Sequence, residues 1–353
     1  MPVVRAPGRV NLIGDHTDYQ DGFCLPMAID REVVVRATRR ADGLVVVRSD
    51  ALDGIVEMPA DGYEDPRHVE PAWGRTVAAV LRLLARTVPA PVGFDAEVTS
   101  TVPVGSGLSS SAAFAVAIAM LESTLAGLSV DRRSIAGIAQ AAETAATGVP
   151  CGIMDQMASV FGKAGHALLL DCRSLDIDFV ALPPTVAVAV VHSGVARRLE
   201  DSAYAQRRAA CEAAASRIGV ASLRDATPGS VADDPVARHV VSENGRVLAF
   251  VDALRAGDLD RCGELMLASH ASLRDDFRVS TPELDVLVGA LVDAGAHGAR
   301  LTGAGFGGCV VALVDADEAD DVVTRAAARY GSATGLTPLP LVVRAVDGAG
   351  LVE

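Results

Sequence analysis

Lysine is almost absent from this 353-residue chain: Lys163 stands alone, and the rest of its 31 strong bases are arginine. Chemistry that needs a cation beside a phosphate therefore falls to a guanidinium, which stays charged and grips two oxygens at once. Cysteine is sparse as well. The six, at 24, 151, 172, 211, 262 and 309, contain no C-x-x-C pair. That argues against a zinc ribbon or a thioredoxin-like centre and fits a reducing, cytoplasmic setting. No apolar run reaches the roughly 18 residues of a membrane span. The first residues, Met-Pro-Val-Val-Arg, carry no signal-peptide pattern. Aromatics make up only 4%, with Trp73 the single tryptophan. Positive charge is in deficit: the net charge of −14 speaks against a nucleic-acid or anionic-membrane partner, though not against an anion held in a local pocket. What the chain does have is apolar material, half of all residues, enough for one large domain or two.

The chain is organised around one stretch. Phe94 to Val102 alternates like a strand, and Ala112 to Leu121 is apolar and Ala-rich like a buried helix. Between them lies Pro103-Val104-Gly105-Ser106-Gly107-Leu108-Ser109-Ser110-Ser111. A Gly-rich loop feeding a helix offers free N–H groups and the positive end of a dipole, which suits phosphate. It also reads as an ordinary Gly/Ser turn with a serine cap. No Gly-Lys-Ser/Thr follows, so it is not a Walker A loop. Ser110 stands where a dinucleotide fingerprint needs its third glycine.

Elsewhere, Val3 to Ile13 reads as a strand broken by Ala6-Pro7-Gly8. It runs into Gly14-Asp15-His16-Thr17-Asp18-Tyr19, a polar turn or a ligand-contacting loop. Arg31 to Ala37 and Leu44 to Arg48 read as strands joined by a hairpin turn at Ala41-Asp42-Gly43, with Ile55 to Met58 extending the sheet. Helical spacing covers Trp73 to Thr87, where Trp73 is a core anchor or stacks on a flat ligand. Arg132 to Thr147 is a helix carrying Glu143. Cys151 to Gln156 leads into a short helix, where Asp155 is a dipole partner or a base. Strands follow at 167–170, 177–180 and 186–191, with Pro183-Pro184 as a linker. Helices are expected at 200–218 (bearing Tyr204), 235–255, 258–275, 282–294 and 317–330, and a last strand at 341–346. Gly303-Ala304-Gly305-Phe306-Gly307-Gly308 matches G-x-G-x-x-G, but it joins two β-type runs, 299–302 and 309–314. That excludes a Rossmann turn; such glycines bring backbone close to another loop or to a ligand.

Pro7 to Tyr19, Pro103 to Ala113 and Thr302 to Cys309, in that order, resemble the three motifs of the GHMP small-molecule kinases. The first is similar to the galactokinase signature. The likeness extends to Cys151–Gln156, Leu168–Leu175, Gly263–Phe277 and Phe306–Leu313, and so to nearly the whole chain. It implies an α+β, two-domain GHMP kinase fold with the active site in the cleft between the domains. Residues 1–182 would form a mixed sheet with helices, and 183–353 a helix-rich α/β sandwich. It implies ATP-dependent phosphorylation of the C1 hydroxyl of α-D-galactose by a monomer using ATP and Mg²⁺. Carried over residue by residue, Pro103, Gly105, Ser106, Gly107, Leu108, Ser109, Ser110 and Ser111 wrap the ATP phosphates, and Trp73 lies near the adenine. Ser111 and Glu143 help hold Mg²⁺. Asp155 sits at the C1 hydroxyl, and Arg9 bridges toward the γ-phosphate. Asp15, His16, Asp18, Gly152 and Tyr204 meet the sugar.

Three departures accompany the resemblance. Asp15 stands where the family usually has Glu at the sugar's 6-hydroxyl. That keeps open a related sugar-1-kinase with altered C6 or C2 specificity, such as for galactosamine or L-arabinose. The first motif also begins sooner than the resemblance implies. Ala304 replaces a glycine of the third motif. A non-catalytic sugar and ATP sensor of this family is damaged at a Ser-Ala pair that is intact here as Ser111-Ala112. Mevalonate-type kinases use a lysine in the first motif, which this chain lacks there.

Overall fold

The structure, a computed structural model, describes residues 1–61, 65–86, 92–103, 105–195 and 200–352. Thr87, the expected end of one helix, and Val104 of the Gly-rich loop lie outside the described residues. In chain order the elements are β1 (Val3–Asn11), β2 (Phe23–Cys24), β3 (Pro26–Arg40), β4 (Leu44–Ser49), β5 (Ile55–Pro59), α1 (Gly74–Leu84), β6 (Gly93–Ser100), α2 (Ser110–Leu125), α3 (Arg132–Thr147) and α4 (Met154–Phe161). Then come β7 (His166–Asp171), β8 (Ile177–Ala181), β9 (Val186–His192), α5 (Glu200–Ile218), α6 (Pro235–Ala256), α7 (Leu259–Asp275), α8 (Pro282–Asp293), β10 (Gly298–Thr302), β11 (Cys309–Asp315), α9 (Ala319–Thr334), β12 (Leu339–Val343) and β13 (Gly350–Leu351). Among the described residues no helix is long and apolar enough to cross a membrane.

One sheet runs in the order β13-β1-β3-β6-β4-β5, a second β10-β11-β9-β12, and a small third β2-β7-β8. The second sheet shows why its strands read as unbroken apolar runs. Val188 and Val190 of β9, with Cys309, Val311 and Leu313 of β11, join the core that contains β1, β3, α2 and α3. Their neighbours Ala189, Val191, Val310, Ala312 and Val314 join a separate core with residues of α5, α8 and α9. Successive strand residues point to opposite faces, so a sheet apolar on both faces binds the two halves together. The Ala-rich α2 is buried from Ala112 to Ser123 except Phe114 and Met120, and it packs on β1, β3 and α3. Small side chains allow that close approach.

Three expectations change. Ala41-Asp42-Gly43 is not a hairpin turn, because β6 inserts between β3 and β4, antiparallel to the first and parallel to the second. The local reversal is real, with Arg40 forked onto Asp42; the partner is chosen by a distant strand. Pro7-Gly8 does not end the first strand but shifts its register against β3. Proline has no N–H to give, and the strand bulges. There the Arg9 N–H turns to the Leu108 carbonyl at 3.1 Å, and a Cβ on Gly8 would stand 2.5 Å from that oxygen. Thus β1 lies against the Gly-rich loop. Last, the expected final strand at 341–346 ends at Val343, and a short further strand, β13, returns to pair with β1.

Candidate active site

A cleft of about 360 Å³ opens where the loop after β1, the Gly-rich loop, the start of α4, α5 and the β10–β11 loop converge. It is lined by Arg9, Asp15, His16 and Asp18, by Gly105, Gly107 and Ser109 to Ser111, and by Glu143, Gly152, Asp155 and Tyr204. Tyr19, Cys151, Met154, Gln156, Gly303 and Ala304 complete the wall. Three expected phosphate-loop residues do not line it. Ser106 is buried and donates to the Pro103 carbonyl at 2.7 Å, and the Leu108 carbonyl is taken by Arg9. Ser106 and Leu108 brace the loop from behind, and the exposed Pro103 contributes the carbonyl that Ser106 holds. Ser109 occupies the N-cap position of α2 but makes no side-chain cap, and its φ is +61°. Its hydroxyl turns instead to Asp155. Among the described residues, the first N–H groups of α2 are thereby left without a side-chain acceptor, as an anion site at a helix start requires.

Arg9 and Asp155 form the centre. Arg9 Nε donates to Asp155 Oδ1 and Nη2 to Oδ2, both at 2.7 Å, and Nη1 donates to the Gly107 carbonyl at 2.7 Å. This two-pronged grip is the arginine geometry that lysine cannot copy. Burial works against the Arg9 charge, and the Asp155 carboxylate more than restores it. The pair sits between the Gly-rich loop and the acidic residues of the first motif.

Those acidic residues occupy different environments. Asp18 packs directly on Gly152, where a Cβ would lie 1.5 Å from its Oδ2, so only glycine admits it. Burial, then the charge of Asp155, push the Asp18 carboxyl up to about 7. Asp15 Oδ1 accepts the Gly303 N–H at 2.9 Å, and Oδ2 lies 2.5 Å from Arg300 Nη2, with the arginine fully buried. His16 faces the Ala304 carbonyl through Nε2 at 3.1 Å, so that nitrogen carries the proton, and Nδ1 accepts from the Tyr19 hydroxyl at 2.8 Å. Burial, and His239 after it, lower His16 to about 3, leaving it neutral. A sugar hydroxyl meeting a ring nitrogen of His16 has to replace one of these partners. Tyr204 stands over His16, with ring centroids 5.9 Å apart.

The raised Asp18 carboxyl carries a prediction. Below pH 7 it holds its proton; above, it becomes a carboxylate able to accept from more hydroxyls. With Asp18 meeting a sugar, as the family resemblance implies, the KM for sugar is expected to fall about tenfold from pH 6 to pH 8, and Asp18→Asn to flatten that profile at weak binding. Steady-state kinetics across the range check it; an unchanged slope in the variant refutes it.

Glu143 and Ser111 meet at 2.5 Å through Ser111 Oγ and Oε1. Burial pushes the Glu143 carboxyl up against the hydrogen bonds of Ser111 and Gln156. Among the described residues no group of three or more His, Cys, Asp or Glu could hold a metal by itself. Mg²⁺ beside a nucleotide needs only one or two protein oxygens, since phosphates and water supply the rest. A hydroxyl and a carboxylate at the Gly-rich loop fit that requirement. Trp73 lines a neighbouring pocket of about 230 Å³ with Leu52, Val98 and Phe114, which shares Ser110 and Ser111 with the cleft. Its Nε1 donates to the Asp53 carbonyl at 3.0 Å, leaving the ring to form an apolar wall.

Known proteins resemble this chain throughout. The description GHMP kinases N terminal domain matches residues 75–163, GHMP kinases C terminal matches 250–332, and the galactokinase galactose-binding signature matches 2–39. The chain is 46% identical to a galactokinase of Roseiflexus sp. (strain RS-1) and 46% identical to one of Chloroflexus aurantiacus. Each alignment covers 99% of this chain and 93% of the relative. The chain belongs to the galactokinase family. A solved galactokinase of Lactococcus lactis, complexed with galactose, superposes with a TM-score of 0.93 at 31% identity, covering 99% of this chain and 94% of that one. Methanococcus jannaschii mevalonate kinase, at 18% identity and a TM-score of 0.71, shares the fold. The two-domain GHMP kinase fold and the kinase class expected of the sequence stand on these matches.

Sequence reasoning passed over several residues in the cleft wall or behind it. Arg300, buried behind Asp15, was legible only as a charge inside an apolar strand. Gln156 adjoins Asp155 without a signal of its own. Tyr19 and Cys151 lay inside quoted motifs but carried no role.

Proposed function

We propose that this chain transfers the γ-phosphoryl group of ATP to the C1 hydroxyl of galactose, giving galactose 1-phosphate and ADP. The observation that carries this reading is the Arg9–Asp155 pair, held between the Gly-rich loop and the Asp15–Asp18 cluster. Asp155 receives the attacking hydroxyl, and Arg9 faces the charge that develops during transfer. Gly105, Gly107 and Ser109 to Ser111 cradle the phosphates, and Trp73 borders the base. Mg²⁺, held by Ser111 and Glu143, would neutralise phosphate charge. Asp18, Gly152 and Tyr204 contact the sugar, with Asp15 and His16 held by their protein partners at its edge. A monomeric enzyme is part of this proposal. The absence of any C-x-x-C pair among its six cysteines supports a cytoplasmic one.

The test is ADP release over galactose, 6-deoxygalactose, galactosamine, L-arabinose and glucose. Galactose is expected to give the highest kcat/KM. Turnover of another sugar in its absence would replace the substrate, and binding of galactose and ATP without turnover would make the chain a sensor. Asp15 is the reason for the 6-deoxygalactose arm. It is one methylene shorter than Glu and drawn back by Arg300 and Gly303, so discrimination at C6 is expected to be modest.

A further inference from the structure

One fully buried cleft residue has no place in that scheme. Gln156 follows Asp155 in the first turn of α4. Its Nε2 donates to Glu143 Oε2 at 2.7 Å, while Ser111 Oγ donates to the other oxygen, Oε1. Neighbours in a helix point about 100° apart, so one turn of α4 serves two partners: Asp155 engages Arg9, and Gln156 engages Glu143. The Gln156 Oε1 is buried and has no hydrogen-bond partner among the described residues. Leaving a buried acceptor unused is costly, so its place in the wall of a ligand cleft calls for an explanation.

We propose that Gln156 is a positioning residue for the divalent cation, acting through Glu143. This rests on the reading of Glu143 and Ser111 as the cation's protein oxygens. The terminal torsion of a glutamate is broad. The Gln156 N–H claims one carboxylate oxygen and so keeps the other turned toward Ser111 and the phosphate loop. The unused Gln156 carbonyl suits a donor, and the waters that a magnesium ion retains are donors. Gln156 thus supplies one group that aims the carboxylate and a second that can receive a cation-bound water.

Binding of Mn²⁺ as the cation probe, measured by calorimetry on the full chain saturated with ADP, separates the possibilities. Gln156→Met keeps the volume and removes both polar groups. Gln156→Glu keeps the shape and replaces the donor by an acceptor. Both are expected to weaken Mn²⁺ binding about 10- to 100-fold and to raise the half-saturating Mg²⁺ in turnover similarly. Metal-free ADP binding and galactose binding are expected to stay within about twofold, changes that a merely structural role would not confine to the cation. Two substitutions of different polarity guard against the misfolding of one. If Glu143→Gln weakens Mn²⁺ binding and neither Gln156 variant does, the proposal is overturned and the Glu143 reading stands. If Glu143→Gln itself leaves Mn²⁺ binding unchanged, the Glu143 reading fails and takes the proposal with it.

Discussion

Replacing Asp155 by asparagine is expected to lower kcat by about two to four orders of magnitude while leaving ATP binding near its original strength. Both Asp155 oxygens are held: Arg9 donates to each and Ser109 to Oδ2. A carboxylate offers roughly four acceptor positions, so three held donors leave one free for the hydroxyl that the proposed reaction brings there. Asparagine keeps the shape and one carbonyl acceptor but cannot take a proton. It also turns an N–H₂ group toward Arg9, so the guanidinium loses one prong and its counter-charge. Rapid-quench measurement of a single turnover checks the chemical step apart from product release. A rate within threefold of the native enzyme would remove Asp155 from the reaction. Asp155→Ala is the poorer variant, because it leaves Arg9, whose side chain is only 6% exposed, with no partner for its fork.

Much of this centre was legible because it is local. Gly14 to Tyr19 and Gly105 to Ser111 each place several functional groups within one turn of chain, so type and spacing suffice. The glycines at 303–308 were correctly read as joining two strands, since Cys309 to Val314 lacks helical spacing, and their loop does reach the cleft. What escaped depends on contacts between distant segments. The insertion of β6 between β3 and β4 pairs Arg40 with Gly93, a choice that no turn signal at Ala41–Gly43 encodes. Ser109 looks like a helix cap by position, yet its left-handed backbone sends the hydroxyl to a residue 46 positions later. Gln156 and Glu143 stand thirteen positions apart on different helices. Their pairing follows from how α3 and α4 pack, not from any spacing.

Arg300 shows the same principle with the largest consequence for stability. Along β10, Ala299 and Leu301 face the core shared with α8 and α9. Alternation puts Arg300 on the other face, behind the first motif. There Nε donates to Ser269 Oγ at 3.1 Å, Nη1 to the Leu12 carbonyl at 3.3 Å, and Nη2 lies 2.5 Å from Asp15 Oδ2. Glu243 is 3.9 Å away, bonded also to Arg246, Ser269 and the Gly14 N–H. Burial pushes Glu243 up, but Arg246 above all, with His239 and Arg300, holds it at about 2. Arg300→Met is therefore expected to cost about 3–5 kcal/mol of stability, read from urea midpoints at pH 7. The buried Asp15 charge would keep only the Gly303 N–H. Removing that charge too, in Asp15→Asn with Arg300→Met, is expected to restore more than half of the loss. The penalty comes from the uncompensated carboxylate and not from the missing arginine contacts. A double variant no more stable than Arg300→Met would place the cost in those contacts instead. Because the proposed reading puts Asp15 and His16 at the sugar, the single variant is also expected to raise the galactose KM while leaving the ATP KM unchanged. That would show the guanidinium setting the position of the first motif from behind.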